Sequence, residues 1–206
     1  MIVIVDYQAG NLTSVKRSLD HLGLLSQISA DPVEVRRASR IIFPGVGHAA
    51  TAMQVLRRTG LDEALRNAYA WGTPILGLCL GSQIVLTHSD EGDTPCLGLL
   101  PGRCPRFSLA DPALKIPHMG WNTVSVTRPH YILKDVQPGD EFYFVHSYYP
   151  QPTDPAACFA TSDYERTFPA AIGRGNLFAT QFHPEKSGRV GLALLRNFAD
   201  WNGYAE

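Results

Sequence analysis

The sequence has few cysteines, no basic run and no long apolar run, and each absence argues against a class of protein. Its four cysteines show neither CxxC pairing nor metal-ligand spacing with histidine, which argues against a disulfide framework and a metal site. Lysines and arginines form no stripe and the formal net charge is −1, so no nucleic-acid partner is expected. No apolar stretch approaches the about 18 residues of a membrane-spanning helix. The N-terminus lacks the basic region of a signal peptide, so we expect a cytoplasmic chain without a membrane partner.

The composition suits one globular domain. The chain has 206 residues, of which 45% are hydrophobic and 18% are charged, and this is enough apolar sequence to bury a full core. No internal repeat or low-complexity linker divides it. We therefore expect residues 1–206 to form a single domain.

Short β-branched runs alternate with helical patterns in the first half, which predicts parallel βαβ units. The predicted order is a strand over 2–6, a helix over 12–22, a strand over 26–29, a helix over 32–37, a strand over 40–43, a helix over 49–71 and a central strand over 74–78. After residue 104, alternating strands over 122–127, 141–148 and 158–162 indicate an antiparallel or mixed sheet edge, and a last helix is predicted over 187–201. The predicted fold is α/β, with a mostly parallel central sheet flanked by helices and additional antiparallel strands in the C-terminal half.

Cys79 follows the predicted central strand and precedes a helix predicted over 82–88, with Gly77 and Gly81 on either side. A nucleophile on such a strand-to-helix turn needs small neighbours because the backbone is strained and closely packed. The turn also places the thiol at a helix N-terminus, where N–H groups and the macrodipole favour the thiolate. An isolated cysteine is most often a small buried hydrophobe. The flanking glycines favour a nucleophile here, and the other three cysteines lack this setting.

His183 and Glu185 are the predicted partners of the thiol. An attacking thiol needs an imidazole to take its proton, and the imidazole needs a third group to orient it. Glu185 stands two residues after His183, so in extended backbone both side chains would point the same way. The segment alone could also be a helix entry with a solvated histidine, but paired with Cys79 it favours a triad. His146 has no adjacent carboxylate and is predicted to be structural.

The turn Pro44 to Gly47 follows the strand over 40–43, at the end of a parallel strand where such sheets build their sites. By itself a Pro-Gly-X-Gly sequence is usually a simple turn. Glycines nevertheless allow backbone N–H groups to turn inward and stabilise a tetrahedral oxyanion. The predicted oxyanion residues are Gly45, Val46, Gly47 and Leu80.

Three segments carry a family resemblance: GLCLGSQ over 77–83, QFHPEKS over 181–187 and PGVG over 44–47 resemble class I glutamine amidotransferases. Within that class, MGWN over 119–122 and FVHSYY over 144–149 are similar to the glutaminase subunits of imidazole glycerol phosphate synthases. The resemblance implies a flavodoxin-like domain that hydrolyses L-glutamine to glutamate and ammonia without a metal or organic cofactor. It also implies a heterodimer with a (β/α)8-barrel synthase, which receives the ammonia and makes imidazole glycerol phosphate and aminoimidazole carboxamide ribotide in histidine biosynthesis.

The resemblance also assigns residues outside the triad. It places Gln83, Glu91, Ser147 and Tyr148 at the glutamine, and Asn11, Trp121 and Lys186 toward the partner. Gln8 stands where the family usually has glycine, and Ser82 where it usually has methionine. These departures leave open a related barrel partner, such as one that amidates surface sugars.

Other classes remain as alternatives. Amidotransferases serving GMP, anthranilate or carbamoyl phosphate synthesis usually carry histidine at position 82 and lack the MGWN segment. A binding module that had lost the chemistry would show a broken triad. A stand-alone hydrolase would have no role for the MGWN and FVHSYY segments.

Overall fold

The computed structural model describes residues 1–8 and 10–204 and is built on a twisted mixed sheet. In the first half the elements are β1 (Ile2–Val5), α1 (Leu12–His21), β2 (Ser26–Ser29), α2 (Pro32–Arg37), β3 (Arg40–Phe43), α3 (Ala49–Thr59), α4 (Leu61–Ala70), β4 (Ile75–Leu78) and α5 (Leu80–Ile84). In the second half they are β5 (His88–Ser89), β6 (Thr94–Pro95), β7 (Gly102–Cys104), β8 (His118–Thr123), β9 (Ser125–Val126), β10 (Glu141–His146), β11 (Gln151–Pro152), β12 (Cys158–Tyr164), β13 (Arg166–Arg174), β14 (Leu177–Thr180) and α6 (Gly188–Asp200).

The main sheet has the strand order β2-β1-β3-β4-β14-β13-β12-β9. Neighbours from β2 to β14 are parallel, and the remaining three pairs are antiparallel. The predicted α/β class with a parallel core and added antiparallel strands is therefore confirmed. Two smaller sheets lie outside it, one pairing β8 with β10 and one ordered β11-β7-β5-β6.

The parallel strands inside the sheet, β1, β3, β4 and β14, are buried on both faces, which explains their mostly apolar sequences, whereas the edge strand β2 is partly exposed. Successive residues of a strand point to opposite faces, so Val3 belongs to the core layer that includes α2, α3 and α4, while Ile4 belongs to the layer that includes α1 and α6. The first layer includes Val35, Met53, Leu56, Leu61 and Leu65, and the second includes Val15, Leu19, Leu194, Leu195 and Phe198. The core is thus split into two layers by the sheet.

Three details of the predicted elements are wrong. The helix predicted over 49–71 is broken at Gly60, whose φ of 74° ends α3 and starts α4. The helix predicted over 82–88 begins at Leu80 and ends at Ile84, because the backbone N–H groups of Leu97 to Leu100 take the carbonyls of residues 84 to 86. The strand predicted over 122–127 is divided between two sheets, since β8 pairs with β10 and β9 with β12.

This topology brings three predicted site segments to one edge. Phe43, Leu78 and Thr180 end the adjacent strands β3, β4 and β14, with Phe43 opposite Gly77 and Thr180 opposite Leu78. The chain continues from these ends into Pro44, Cys79 and Gln181. The carboxyl ends of the central parallel strands therefore carry the candidate site. No helix among the described residues has both the length and the apolarity to cross a membrane.

Candidate active site

Cys79 occupies a strained turn between β4 and α5. Its φ of 52° and ψ of −107° are unusual for a residue with a side chain, and its N–H is held by the Thr180 carbonyl at 2.8 Å. A Cβ at Gly81 would lie 2.0 Å from the Phe43 carbonyl oxygen, and one at Gly77 would lie 3.0 Å from the Ala179 Cβ. Close packing therefore requires glycine at 81 and leaves little room for a side chain at 77, as expected for a nucleophile elbow.

His183 and Glu185 form a buried pair. His183 Nδ1 lies 2.7 Å from Glu185 Oε1, and both side chains are 3% exposed. The sequence spacing led us to expect extended backbone, but residues 184 to 186 form a 3-10 turn that folds the carboxylate back onto the ring. The backbone of His183 is fixed as well, because its N–H donates to the Tyr143 carbonyl and its carbonyl accepts from the Ser187 hydroxyl.

The charges of the three groups support one another. Burial disfavours the imidazolium form of His183, but the Cys79 thiolate and the Glu185 carboxylate outweigh it and raise the pKa of His183 to about 10. Because the carboxylate can only accept, Nδ1–H of His183 is the donor to it. His183 Nε2 is buried and has no hydrogen-bond partner among the described residues. The arrangement leaves Nε2 available to exchange a proton with the thiol.

The Pro44 to Gly47 turn lies directly against the elbow. The N–H of Leu80 donates to the Gly45 carbonyl at 3.2 Å, so this predicted oxyanion donor is already occupied. Gly47 has a φ of 109°, a conformation that favours glycine. A Cβ at Gly45 would lie 1.9 Å from the buried Tyr7 hydroxyl, which also excludes a larger residue there.

A cavity of about 330 Å³ opens at Cys79. It is lined by Val46, Gly47, Cys79, Leu80, Gln83, Glu91, Pro117, Val145, His146, Ser147 and Tyr148. Three of the four predicted oxyanion residues and all four residues predicted at the glutamine are in this lining. Gly45 is not in the lining.

Two of the residues predicted at the glutamine are held by hydrogen bonds to the protein. Gln83 Nε2 donates to the Tyr148 carbonyl and to Gln181 Oε1, both at 2.9 Å. Glu91 Oε2 accepts from the N–H of Ala49, at the start of α3, at 2.7 Å. Their orientations are therefore set before any ligand binds.

Sequence reasoning did not single out Gln181, whose Nε2 lies 3.7 Å from Cys79 Sγ. Its position in the sequence could have indicated this, because Gln181 is two residues before His183 in the same motif and follows β14, which pairs with β4. His146 was expected to be structural, yet it also lines the cavity.

The residues predicted to face a partner lie in different settings. Trp121 is 54% exposed on β8, and its ring packs edge-on against Tyr143 with centroids 6.1 Å apart. Lys186 Nζ lies 5.7 Å from the centroid of the same Tyr143 ring. Asn11 is the N-cap of α1, where its Oδ1 accepts from the N–H of Ser14 at 3.3 Å. The structure thus groups Trp121 and Lys186 around Tyr143, whereas Asn11 begins a separate helix.

The two departures from the family pattern lie in different local settings. Gln8 has a φ of 63°, a conformation that glycine adopts at lower cost, and its N–H donates to Asp6 Oδ1. Ser82 is buried in α5, and its hydroxyl donates to the Cys79 carbonyl at 2.7 Å. The Ser82 side chain therefore contacts the backbone of Cys79 rather than its thiol. Within residues 1–8 and 10–204, no group of three or more His, Cys, Asp or Glu side chains could hold a metal ion.

Comparisons with known proteins agree with this geometry. The model of the family described as "Glutamine amidotransferase class-I" matches residues 3–201. The chain is 51% identical over 203 residues to the imidazole glycerol phosphate synthase subunit HisH of Nitratidesulfovibrio vulgaris strain Miyazaki F, covering 96% of this chain and 95% of that protein. It is 44% identical over 209 residues to the subunit of the same name from Thiobacillus denitrificans, covering 98% and 91%.

A solved structure shares the fold. The chain matches a crystal structure titled as a glutamine amidotransferase with a TM-score of 0.77 and 18% identity, over 98% of this chain and 100% of that one. The family model and the curated relatives cover nearly the whole chain, and the chain belongs to the class I glutamine amidotransferase family.

Proposed function

We propose that this chain is the glutaminase subunit of an imidazole glycerol phosphate synthase and supplies ammonia to a (β/α)8-barrel partner as a heterodimer. The observation that carries the proposal is the buried pair His183–Glu185 next to Cys79, which itself lines the cavity of about 330 Å³. The names of relatives that are 44% to 51% identical support the histidine pathway. Four free cysteines suit a reducing compartment, so we place the protein in the cytoplasm.

The geometry supports a two-step hydrolysis. Cys79 Sγ attacks the side-chain amide carbon of glutamine, and His183 gives its Nε2 proton to the departing nitrogen, which leaves as ammonia. Water then attacks the γ-glutamyl thioester while His183 takes its proton, and the thiolate leaves as glutamate forms. Glu185 holds the ring in the orientation that serves both transfers. In this scheme one histidine handles every proton.

The oxyanion loop is in a resting arrangement in this proposal. The Gly45 carbonyl occupies the N–H of Leu80, so a developing oxyanion cannot use that donor. The Gly45 carbonyl and the N–H of Val46 belong to one peptide group and point in opposite directions. Rotation of that peptide would free the Leu80 N–H and turn the Val46 N–H inward. Two donors would therefore be assembled by one movement.

This arrangement predicts a gated enzyme. Hydrolysis without a partner would release ammonia into water, where it becomes ammonium and cannot attack. Since losing one oxyanion donor costs about 10²- to 10³-fold in turnover, the isolated chain should be slower than the loaded complex by at least about a hundredfold. Trp121 is exposed beside Tyr143, whose backbone holds His183, and is our candidate for sensing the partner.

The experiment measures steady-state glutaminase activity of the chain alone, with the barrel partner, and with the partner and its ligand. We expect strong stimulation only in the last mixture and weaker stimulation in Trp121→Ala. Full activity of the isolated chain would contradict the gating, and unchanged stimulation in Trp121→Ala would remove that residue from it.

A growth assay tests the pathway separately. The gene should restore growth without histidine to a bacterium that lacks its own glutaminase subunit, and Cys79→Ala should not. If neither gene restores growth, yet the protein shows partner-dependent glutaminase activity in vitro, a related barrel partner such as a sugar-amidating enzyme would be favoured.

A further inference from the structure

Two buried histidines lie end to end, and one of them, His146, lines the cavity at Cys79. His146 Nδ1 lies 2.8 Å from the Tyr148 carbonyl oxygen, and His146 Nε2 lies 3.0 Å from His118 Nδ1. At the far end, His118 Nε2 lies 3.3 Å from Asn122 Nδ2. The four groups form one continuous chain that crosses from β10 to β8, where His146 and His118 are register partners.

The two ends of this chain fix its direction. The Tyr148 carbonyl can only accept, so His146 must carry its proton on Nδ1. The Asn122 amide is oriented by two further bonds, since its Oδ1 accepts from the N–H of Thr123 and its Nδ2 donates to the Asp163 carbonyl. Asn122 therefore presents a donor to His118. One tautomer pattern satisfies every contact: each ring is neutral, protonated on Nδ1 and bare on Nε2.

An additional proton has no place in this chain. Protonating either ring would set two N–H groups against each other, at the contact between the histidines or at the contact with Asn122. The surroundings agree, because burial lowers the pKa of His118 to about 4 and that of His146 to about 3. Both rings are thus neutral at physiological pH.

The rings are also held by aromatic packing. His118 is stacked against Phe144 and Tyr164, with centroids 5.0 Å and 4.1 Å away. His146 lies 5.3 Å from the centroids of both Phe107 and Phe168. The rings therefore have little freedom to turn, and the direction of the hydrogen bonds is set by the fold.

The end of the chain is the Tyr148 carbonyl, which also accepts from Gln83 Nε2 at 2.9 Å. Ser147, Tyr148 and Gln83 all line the cavity. We propose that His118 and His146 are positioning residues, forming a one-way hydrogen-bond relay from Asn122 that holds the Ser147–Tyr148 segment in shape to bind glutamine. The proposal rests on the proposed function, because it takes the cavity to be the glutamine site.

A pair of substitutions at His118 separates the relay from simple packing. His118→Phe keeps a ring between Phe144 and Tyr164 but cannot donate to His146. His118→Asn loses the ring but places its amide N–H where Nδ1–H was. If the relay matters, the KM for glutamine in the complex should rise about five- to tenfold in His118→Phe, because the buried hydrogen bond to His146 is lost. The KM should stay within about twofold of the wild-type value in His118→Asn, which keeps a donor to His146.

Thermal stability should show the opposite order, with His118→Asn the less stable variant because it forfeits the stacking. His130 offers a matched control, because it is also a buried histidine packed among aromatic rings, stacked on Phe178 and edge-on to Trp201, but it lies outside the cavity. His130→Phe should leave the KM for glutamine unchanged. A lower KM in His118→Phe than in His118→Asn would overturn the relay and leave packing as the role of His118.

Nitrogen-15 NMR of the histidine rings tests the relay without any activity measurement. We expect both His118 and His146 to be neutral and protonated on Nδ1 in the full chain, and His146 to lose that single state in His118→Phe. A ring protonated on Nε2, or an imidazolium, at neutral pH would refute the relay even if glutaminase activity is normal. Absence of glutaminase activity in the wild-type complex, with the NMR pattern intact, would instead refute the proposed function.

Discussion

Glu185→Gln removes one charge from the predicted triad while keeping the shape of the side chain. Glu185 Oε1 accepts from His183 Nδ1 at 2.7 Å, and the pair is almost fully buried. A carboxylate can only accept, whereas an amide can also donate its N–H to Nδ1. That alternative moves the ring proton to Nε2, where it blocks the histidine from taking a proton from the thiol or from water.

The size of the effect follows from the two roles of the carboxylate. It fixes the tautomer of His183, and it helps to raise the pKa of His183 to about 10. Replacing the corresponding acid by an amide in other triads costs up to about 10⁴-fold in turnover. We expect kcat for glutamine hydrolysis to fall about 10²- to 10⁴-fold, or about 3 to 5 kcal/mol in barrier height. Glu185 does not line the cavity, so KM should stay within about threefold.

The assay is steady-state glutamine hydrolysis by the complex, with Glu91→Gln as the matched control. Glu91 lines the cavity, so the same change there should raise KM about tenfold, the scale of a charged hydrogen bond, with a smaller effect on kcat. NMR titration should show a lower pKa for His183 in Glu185→Gln, because the negative charge of Glu185, which helps to raise that pKa, is removed. A large rise in KM with unchanged kcat in Glu185→Gln would assign Glu185 to glutamine binding and refute this reasoning.

Two further predictions concern the elbow. An electrophilic glutamine analogue should label Cys79 selectively, because burial raises the pKa of the other three thiols and keeps them protonated. Peptide mapping that finds equal labelling of all four cysteines would contradict this prediction. Gly81→Ala should lower kcat about a hundredfold, because a Cβ placed 2.0 Å from the Phe43 carbonyl oxygen must displace the elbow by about 1 Å. Unchanged kcat in a variant that circular dichroism shows to be folded would count against the packing argument.

Local sequence patterns were sufficient for the parallel half of the fold. The strands over 26–29 and 40–43 and the helix over 32–37 have the predicted bounds, because β-branched runs, a proline start and short turns specify them locally. Gly60 was visible within the helix predicted over 49–71, but a single glycine is tolerated in many helices. Its left-handed φ depends on the packing of α3 and α4, which the local pattern does not encode.

Parts of the candidate site could not be predicted for a similar reason. The residue types at 44–47 allow inward N–H groups, but the direction of the Gly45 carbonyl is a backbone torsion, and it is this direction that occupies the Leu80 N–H. His118 has no carboxylate near it in sequence, and its contact with His146 exists only because β8 and β10 pair in one register. Gln181, by contrast, stood within a motif already singled out.

In the proposed function Cys79 makes the ammonia that a partner uses, and Cys79→Ala separates that role from synthesis by the partner. The complex of this variant with its barrel partner is assayed for synthesis with glutamine and, separately, with supplied ammonia. We expect no glutamine hydrolysis and no glutamine-dependent synthesis, with ammonia-dependent synthesis retained, because the nucleophile belongs to the glutaminase subunit alone. Substantial glutamine hydrolysis by Cys79→Ala would show that Cys79 is not the nucleophile.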